Sequence, residues 1–256
     1  MADGDERAEG VSTTRKSFEI LELLRDTDGA TLAEIREATG LAKSTVYRHL
    51  KTLYDMRYVV DDDGVYRLSL KFLQLSEPPR IREEAYLVAK QKVIELAQET
   101  RERALFLVEE RFDGVYVHRA GGQNPLHSDT MIGVRRPLHA LAAGKAILSE
   151  WSDERVDEYV RETGLPRLTE TTITERDVLF GELAEIRERG FALNEGEHME
   201  GLRSAGVSVY NERGDPIGAF SVFGPTGRVT KEDLETTYPR LLEEKAQELK
   251  IDLTYD

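Results

Sequence analysis

The segment GLAKSTVYRHLKTL, residues 40–53, decides the interpretation of the first part of the chain. It contains no acidic residue, although the whole chain has 49 acidic and 35 basic residues and a net charge of −14. Its apolar residues recur at helical spacing, which predicts an amphipathic helix with one buried face. The core side of that helix is predicted to contain Ala42, Val46, His49, Leu50 and Leu53.

The opposite face of this predicted helix combines basic and hydroxyl-bearing side chains. A helix of this kind fits the major groove of DNA, where Arg or Lys contacts guanine and hydroxyl groups contact phosphate. We therefore predict DNA binding through this face, with a further basic residue from near the start of the chain's first predicted helix. The predicted contact residues are Arg15, Lys43, Ser44, Thr45, Tyr47, Arg48 and Lys51.

Two more helices and a hairpin are predicted around this segment. A helical pattern starts near Arg15, with Phe18, Leu21 and Leu24 at the spacing of an inner face. A second one follows Thr31, which forms a capping-box pattern with Glu34. Strand-like runs at 58–60 and 65–70 flank an Asp-Asp-Gly turn. This order predicts a winged helix-turn-helix domain over residues 1–75.

The composition excludes several classes of protein. The chain has no cysteine, which rules out disulfides, iron–sulfur clusters and thiolate zinc sites, and its five histidines show no metal-binding spacing. No apolar run reaches the roughly 20 residues that span a bilayer, so we expect a cytoplasmic protein. Acidic residues are dispersed and arginine outnumbers lysine 25 to 10, a composition that favours a halophilic, salt-rich cytoplasm.

Residues 76–256 predict a second domain of the α+β class. The segment SEPPR, residues 76–80, is a helix breaker and a plausible linker start, and a long helix is expected from Ile81 to about Arg101. Paired strand patterns then alternate with groups of helices, which favours an antiparallel sheet.

Sequence motifs for catalysis are weak in this second domain. Gly144-Lys145 suggests a phosphate-binding loop, but His139 and Ala146 stand where that motif needs glycine and a hydroxyl residue. Glu197 and His198 could serve as acid and base, although such residues are more often surface groups. We predict no catalytic residue, no cofactor and no enzymatic activity.

Three stretches resemble the IclR family of transcription regulators. They are TLAEIREATGLAKSTVYRHLKTL, RRPLHALAAGKAILSE and RGFALNEGEHMEGLRSAGVSVYNERGDPIGAFSVFGPTGR. The resemblance runs from about Arg15 to the C-terminal helix. It implies a winged helix-turn-helix followed by a GAF-like α/β effector-binding domain with an antiparallel sheet. It also implies a homodimer or tetramer that binds a (pseudo)palindromic double-stranded DNA operator under the control of a small organic effector, often from carbon catabolism.

The resemblance also implies an effector pocket between the Gly-Lys helix, the loop before it and the sheet. Three positions depart from the family pattern, with Ser204 where Cys is frequent, Asn194 where Asp is frequent and Phe223 where a second Ser is frequent. These departures favour a neutral polyol or a sugar acid over a small keto acid. A helix starting near Leu138 would offer free amides to an anion. The implied effector-binding residues are Ser128, Ala142, Ala143, Asn194, Leu202, Ser204 and Ser221.

Two alternatives to an effector-controlled regulator remain open at this stage. The winged helix could serve only for dimerisation of a ligand-binding module, or the chain could be a small-molecule enzyme. Asp61, Asp62 and Asp63 at the wing tip would repel phosphate, so we expect them to point away from DNA or to be neutralised by cations.

Overall fold

A computed structural model describes residues 10–121 and 131–255. These residues form two compact units, one up to Pro79 and the other from Arg80 onward. Ser128 belongs to the segment outside the described residues.

The first unit contains helices and a small antiparallel sheet in which the strand order is β1-β3-β2. Its core contains buried residues from every one of its first three helices, including Ile20, Ile35 and Leu50. The elements are α1 (Ser12–Asp26), β1 (Ala30–Thr31), α2 (Leu32–Thr39), α3 (Lys43–Asp55), β2 (Val59–Asp62), β3 (Val65–Leu68) and α4 (Phe72–Arg80).

Short-range sequence signals determine the start of helix α2 and the turn between β2 and β3. The side chain of Thr31 accepts a hydrogen bond from the amide of Glu34 at 3.3 Å, and the Glu34 carboxylate accepts one from the Thr31 amide at 2.8 Å, so the predicted capping box is confirmed. Between β2 and β3, Asp63 and Gly64 have φ angles of 51° and 88°. Positive φ at both central residues suits the twist of a tight hairpin.

Other local expectations for this unit are wrong. Phe18 was expected on the inner face of α1 with Leu21 and Leu24, but it is 59% exposed, whereas Leu24 is buried together with Ile20. The segment SEPPR, residues 76–80, is not a non-helical linker. Its residues form the last part of helix α4. Each proline in that last turn lacks a backbone N–H, so the helix loses only two of its hydrogen bonds there. The helix therefore ends after the prolines rather than before them.

The second unit is built on a six-stranded antiparallel sheet in the order β6-β5-β4-β9-β8-β7. Its strands are β4 (Arg103–Glu110), β5 (Asp113–Ala120), β6 (Arg135–Pro137), β7 (Ala192–Glu195), β8 (Leu202–Tyr210) and β9 (Pro216–Pro225). Its helices are α5 (Glu84–Thr100), α6 (Ala142–Ser149), α7 (Asp153–Thr163), α8 (Arg176–Arg189) and α9 (Tyr238–Tyr255).

Helices cover both faces of this sheet. One core joins α5 and α9 to Phe106 and Phe220, and the other joins α6, α7 and α8 to Leu105 and Leu107. Alternate residues of β4 therefore serve opposite cores, as strand geometry requires. The predicted α+β fold, with a winged helix-turn-helix followed by an α/β domain on an antiparallel sheet, is confirmed.

Helix α6 lies in direct contact with the sheet. A Cβ atom on Gly206 would stand 2.6 Å from the backbone of Ala142, and one on Gly144 would overlap the carbonyl of Leu138. Two glycines thus permit a close approach that no larger residue allows. The expectation that this helix begins near Leu138 is wrong, because Leu138–Ala140 form a separate 3₁₀ turn and α6 begins at Ala142.

Candidate nucleic-acid interface and ligand cavity

Helix α3 presents the predicted polar face to solvent. Of its predicted inner side, Val46, Leu50 and Leu53 are buried in the core of the first unit, whereas His49 is half-buried and Ala42, just before the helix, is exposed. The exposed residues of the opposite face are Lys43, Ser44, Tyr47, Arg48 and Lys51. Thr45 is half-buried, and Arg15 is exposed on α1. The face therefore has the composition that phosphate and base-edge contacts require.

The cations of this face differ in how they are engaged. Lys51 Nζ lies 3.1 Å from Asp55 one helical turn on, an exposed pair of small energetic value. Lys43 and Arg48 make no ion pair or side-chain hydrogen bond with any residue that the structure describes. Arg48, near the middle of the face, is thus fully available to an anionic partner.

A side-chain contact that the sequence did not reveal orients α3 on α1. The Oγ of Ser17 lies 2.8 Å from Nδ1 of His49. Burial lowers the pKa of His49, and the nearby cations Lys16 and Arg48 lower it further. The ring is therefore neutral near pH 7 and acts as a positioning contact. Only the tertiary structure brings these two residues together, 32 positions apart.

The acidic wing tip is partly engaged within its own hairpin. The Asp61 carboxylate accepts a hydrogen bond from the Gly64 amide at 2.8 Å, and Arg67 lies 4.0 Å from Asp62. These contacts shape the turn and offset part of the local negative charge. Whether the wing points away from DNA stays a prediction.

The second unit contains a cavity of about 290 Å³ between the first turn of α6, the sheet and the loop after β7. The structure brings together six of the seven residues that the family resemblance implies for an effector pocket. They are Ala142, Ala143, Asn194, Leu202, Ser204 and Ser221. The seventh, Ser128, lies outside the described residues.

Most of the polar groups in this cavity are already used by the protein. Asn194 donates through Nδ2 to the Ala140 carbonyl at 2.6 Å and accepts from the Glu197 amide at 3.1 Å. The Ser221 hydroxyl donates to the Ala205 carbonyl at 2.7 Å. Asn194 thus holds the loop after β7 against the turn before α6. It positions the cavity wall more than it offers a free polar group.

Sequence reasoning missed several lining residues. Arg103, Leu105 and Leu107 lie on one face of β4 and all border the cavity, as do Tyr116 and Met199. Alternation along β4 could have shown that the first three share a face. No sequence signal showed that this face meets α6.

A buried ion pair joins α6 to the loop after β7. Lys145 is only 1% exposed, and its Nζ lies 2.7 Å from Glu197 and 3.4 Å from Glu182. Burial raises the pKa of Glu197, while the charge of Lys145 opposes that rise. The Thr172 hydroxyl donates to the Glu197 carbonyl at 2.6 Å and fixes the same loop. Glu197 is therefore a structural partner of Lys145 in this arrangement.

No helix in the described part of the chain is long and apolar enough to cross a membrane.

Comparisons with known proteins agree with both halves of this structure. Residues 13–63 match the model of the IclR helix-turn-helix domain, and residues 82–251 match that of the bacterial transcriptional regulator IclR C-terminal domain. The HTH-type transcriptional regulator KdgR of Escherichia coli strain K12 is 30% identical over 257 residues, covering 99% of this chain and 97% of that protein.

Two further relatives span almost the full chain. The probable HTH-type transcriptional regulator ArcR of Halobacterium salinarum is 27% identical over 247 residues, covering 95% of this chain and 94% of that protein. The crystal structure of the Thermotoga maritima IclR superimposes with a TM-score of 0.81 at 27% identity, covering 95% of this chain and 99% of that one.

Proposed function

The chain belongs to the IclR family of DNA-binding transcription regulators, and we propose that it binds a specific operator under the control of a small metabolite. The observation that carries the DNA-binding half is the exposed, acid-free face of α3 up to Lys51. In a chain of net charge −14, such a face is suited to phosphate and base edges.

We propose that the operator is (pseudo)palindromic and that the protein binds it as a homodimer or tetramer in the cytoplasm. Helix-turn-helix proteins read two half-sites about one helical turn apart, so each copy would place its own α3 in a major groove. The dispersed acidic surface supports a halophilic cytoplasm. Counterion release contributes little to affinity in concentrated salt, which leaves base-edge contacts to carry specificity.

We propose that the cavity in the second unit is the effector site and that the effector comes from carbon or sugar catabolism. A mostly apolar cavity with a few polar groups is the usual form of a small-molecule site. Ala142 and Ala143 bring the first turn of α6 to its wall. Glu197, which the sequence offered as an acid–base candidate, is paired with Lys145.

The test is a footprint of the purified protein, in concentrated potassium salt, on DNA upstream of its own gene and of adjacent genes. We expect protection of an inverted repeat, and the flanking genes would indicate the pathway that supplies the effector. A genomic selection with the same protein extends the search beyond those promoters. Failure of the folded, oligomeric protein to retain any specific DNA in either experiment would overturn the proposal.

A further inference from the structure

A second cavity, of about 420 Å³, lies beside the short edge strand β7. It is bordered by the C-terminal ends of α6 and α8, by the last part of β8 and by α9. Among the described residues it shares no lining side chain with the cavity at the first turn of α6. Its lining is more polar than that of the first cavity and includes the charged residues Glu150, Arg187, Arg189, Glu243 and Lys250.

The edge of β8 is open where it borders this second cavity. Strand β7 pairs with residues 203–206 of β8, whereas β8 continues to Tyr210. No other strand of the described chain lies on that side of Val207 and Ser208. Along an antiparallel strand, every second residue directs its N–H and C=O groups away from a given neighbour. This edge therefore offers backbone donors and acceptors to whatever fills the cavity.

Helix α9 presents a row of charged and polar side chains to the same cavity. Glu243, Gln247 and Lys250 all border it at helical spacing, so they share one face of the helix. Glu243 and Lys250 lie two helical turns apart, a rise of about 10.5 Å along the axis. Neither forms an ion pair with a residue that the structure describes. An unpaired carboxylate and an unpaired ammonium group thus stand at the two ends of one row.

The other charges around this cavity are already engaged within the protein. Arg187 donates to a backbone carbonyl of α6 at 2.8 Å, and Arg189 donates to the Glu182 carboxylate at 2.9 Å. Burial and the neighbouring Glu150 carboxylate raise the pKa of Tyr210, so its hydroxyl stays protonated and donates to Glu150. Among the described residues, the two ends of the α9 row are therefore the charges left for a ligand.

We propose that this second cavity binds a small linear zwitterion, an amino acid whose ammonium and carboxylate groups lie several bonds apart. Lys250 pairs with its carboxylate and Glu243 with its ammonium group, while the open edge of β8 supplies hydrogen bonds between them. A ligand with one charge would satisfy only one end of the row. A zwitterion also avoids the repulsion that a net charge of −14 imposes on an anion. The site is separate from the effector cavity, so this inference goes beyond the proposed function.

The experiment is a calorimetric titration of the full-length protein, without DNA, with 4-aminobutyrate, 5-aminopentanoate and 6-aminohexanoate. Pentanoate and pentylamine, which carry one charge each, and glycine, whose two charges are adjacent, are the comparison ligands. We expect at least one of the three longer amino acids to bind about tenfold or more tightly than every comparison ligand. The reason is that only a ligand with two spaced charges forms a charge-assisted hydrogen bond at both ends of the row.

Matched variants locate this binding. Lys250→Met and Glu243→Gln should each weaken the preferred amino acid about tenfold, and both proteins should stay folded because neither side chain has an ion-pair partner among the described residues. Gln247→Trp, at an exposed position in the middle of the row, should fill the cavity and abolish binding. Lys90→Met, at an exposed position of α5 away from the cavity, is the control and should bind like the wild type.

Three results would overturn the inference. They are no binding of any of the longer amino acids at millimolar concentration, equal binding of a singly charged analogue, and unchanged affinity in the folded Lys250→Met and Glu243→Gln proteins. The DNA footprint reports the proposed function separately. Its failure would leave the zwitterion site in place, and the absence of zwitterion binding would leave the regulator in place.

Discussion

The exposed face of α3 and the cavity beside α6 are assembled in opposite ways. The basic face lies within nine consecutive positions of one helix, from Lys43 to Lys51, and its polar residues point to solvent. The cavity draws residues from Arg103 to Pro225 and depends on five strands, a helix and a loop. A local periodicity is enough to specify the first, whereas the second exists only once strand register and helix contacts are in place.

The two regions should therefore respond differently to mutation. Residues of the α3 face can change DNA binding with little effect on stability. Residues around the cavity carry contacts on which the second unit depends, so stability and ligand binding are linked there.

The largest effect is expected for Lys145→Met. Removing the cation leaves the Glu197 carboxylate buried beside Glu182, and the free energy of unfolding at pH 7 should fall by about 3 kcal/mol. Urea denaturation measures this. The matched control is Lys51→Met on α3, whose exposed pair with Asp55 should be worth about 0.5 kcal/mol or less. Similar losses in the two variants would contradict the distinction between the regions.

The same ion pair predicts a dependence on pH. Because burial raises the pKa of Glu197 in the folded protein, its contribution to stability is fully present below the ordinary glutamate pKa of 4.5 and is lost as the pH rises through the higher folded value. The free energy of unfolding of the wild type, relative to Glu197→Gln, should thus fall as the pH rises from about 4 toward neutrality. A difference that stays constant with pH would show that Glu197 titrates normally.

A pair of glycine substitutions tests the close contact beneath α6. Gly206→Ala should cost about 2–3 kcal/mol, because its Cβ would stand 2.6 Å from Ala142 and push α6 off the sheet. Gly181→Ala, on α8 with no atom within 4 Å of the new Cβ, should instead stabilise by about 0.5–1 kcal/mol. Thermal denaturation distinguishes the two. Equal tolerance at both sites would mean that α6 moves freely on the sheet.

On the α3 face, Arg48→Ala should weaken operator binding about tenfold to a hundredfold, because an arginine contact to a base edge is lost. The melting temperature should stay unchanged, because the Arg48 side chain has no partner among the described residues. Fluorescence anisotropy with the footprinted operator measures the first and calorimetry the second. Arg25→Ala on α1, an exposed arginine paired with Asp26, serves as the control. Full operator affinity in Arg48→Ala would favour a winged helix used for dimerisation only.

The smallest effect is expected at the wing. Asp62→Lys should tighten binding to non-specific DNA a few-fold in dilute salt, and this gain should vanish in concentrated salt. The slope of the logarithm of the affinity against the logarithm of the salt concentration should become steeper by about one. Anisotropy titrations across a salt series measure this. An unchanged affinity at every salt concentration would indicate that the wing is remote from the DNA backbone.

Features of this chain that depend on near neighbours in sequence were predictable, whereas features assembled from distant segments were not. Capping by Thr31 and Glu34, the turn at Asp63-Gly64 and the buried side of α3 depend on neighbours within four residues, and all three are visible in the sequence. The core position of Phe18 was wrong, since burial on α1 depends on where the other helices pack. Family resemblance, not periodicity, indicated residues such as Asn194 and Ser204. Arg103 escaped notice because its environment is created by β8 and β9, about a hundred positions away along the chain.

The absence of a side chain at Gly206, beneath α6, limits how the dimensions of this cavity can change. With no side chain between Gly206 and Ala142, the height of α6 above the sheet is already at its minimum and cannot be lowered by substitution. Substitutions in the other walls, such as Phe223 on the floor and Met199 on the loop, can still change the dimensions of the cavity. New ligand shapes can thus be accommodated by exchanging wall side chains while α6 stays packed against Gly206.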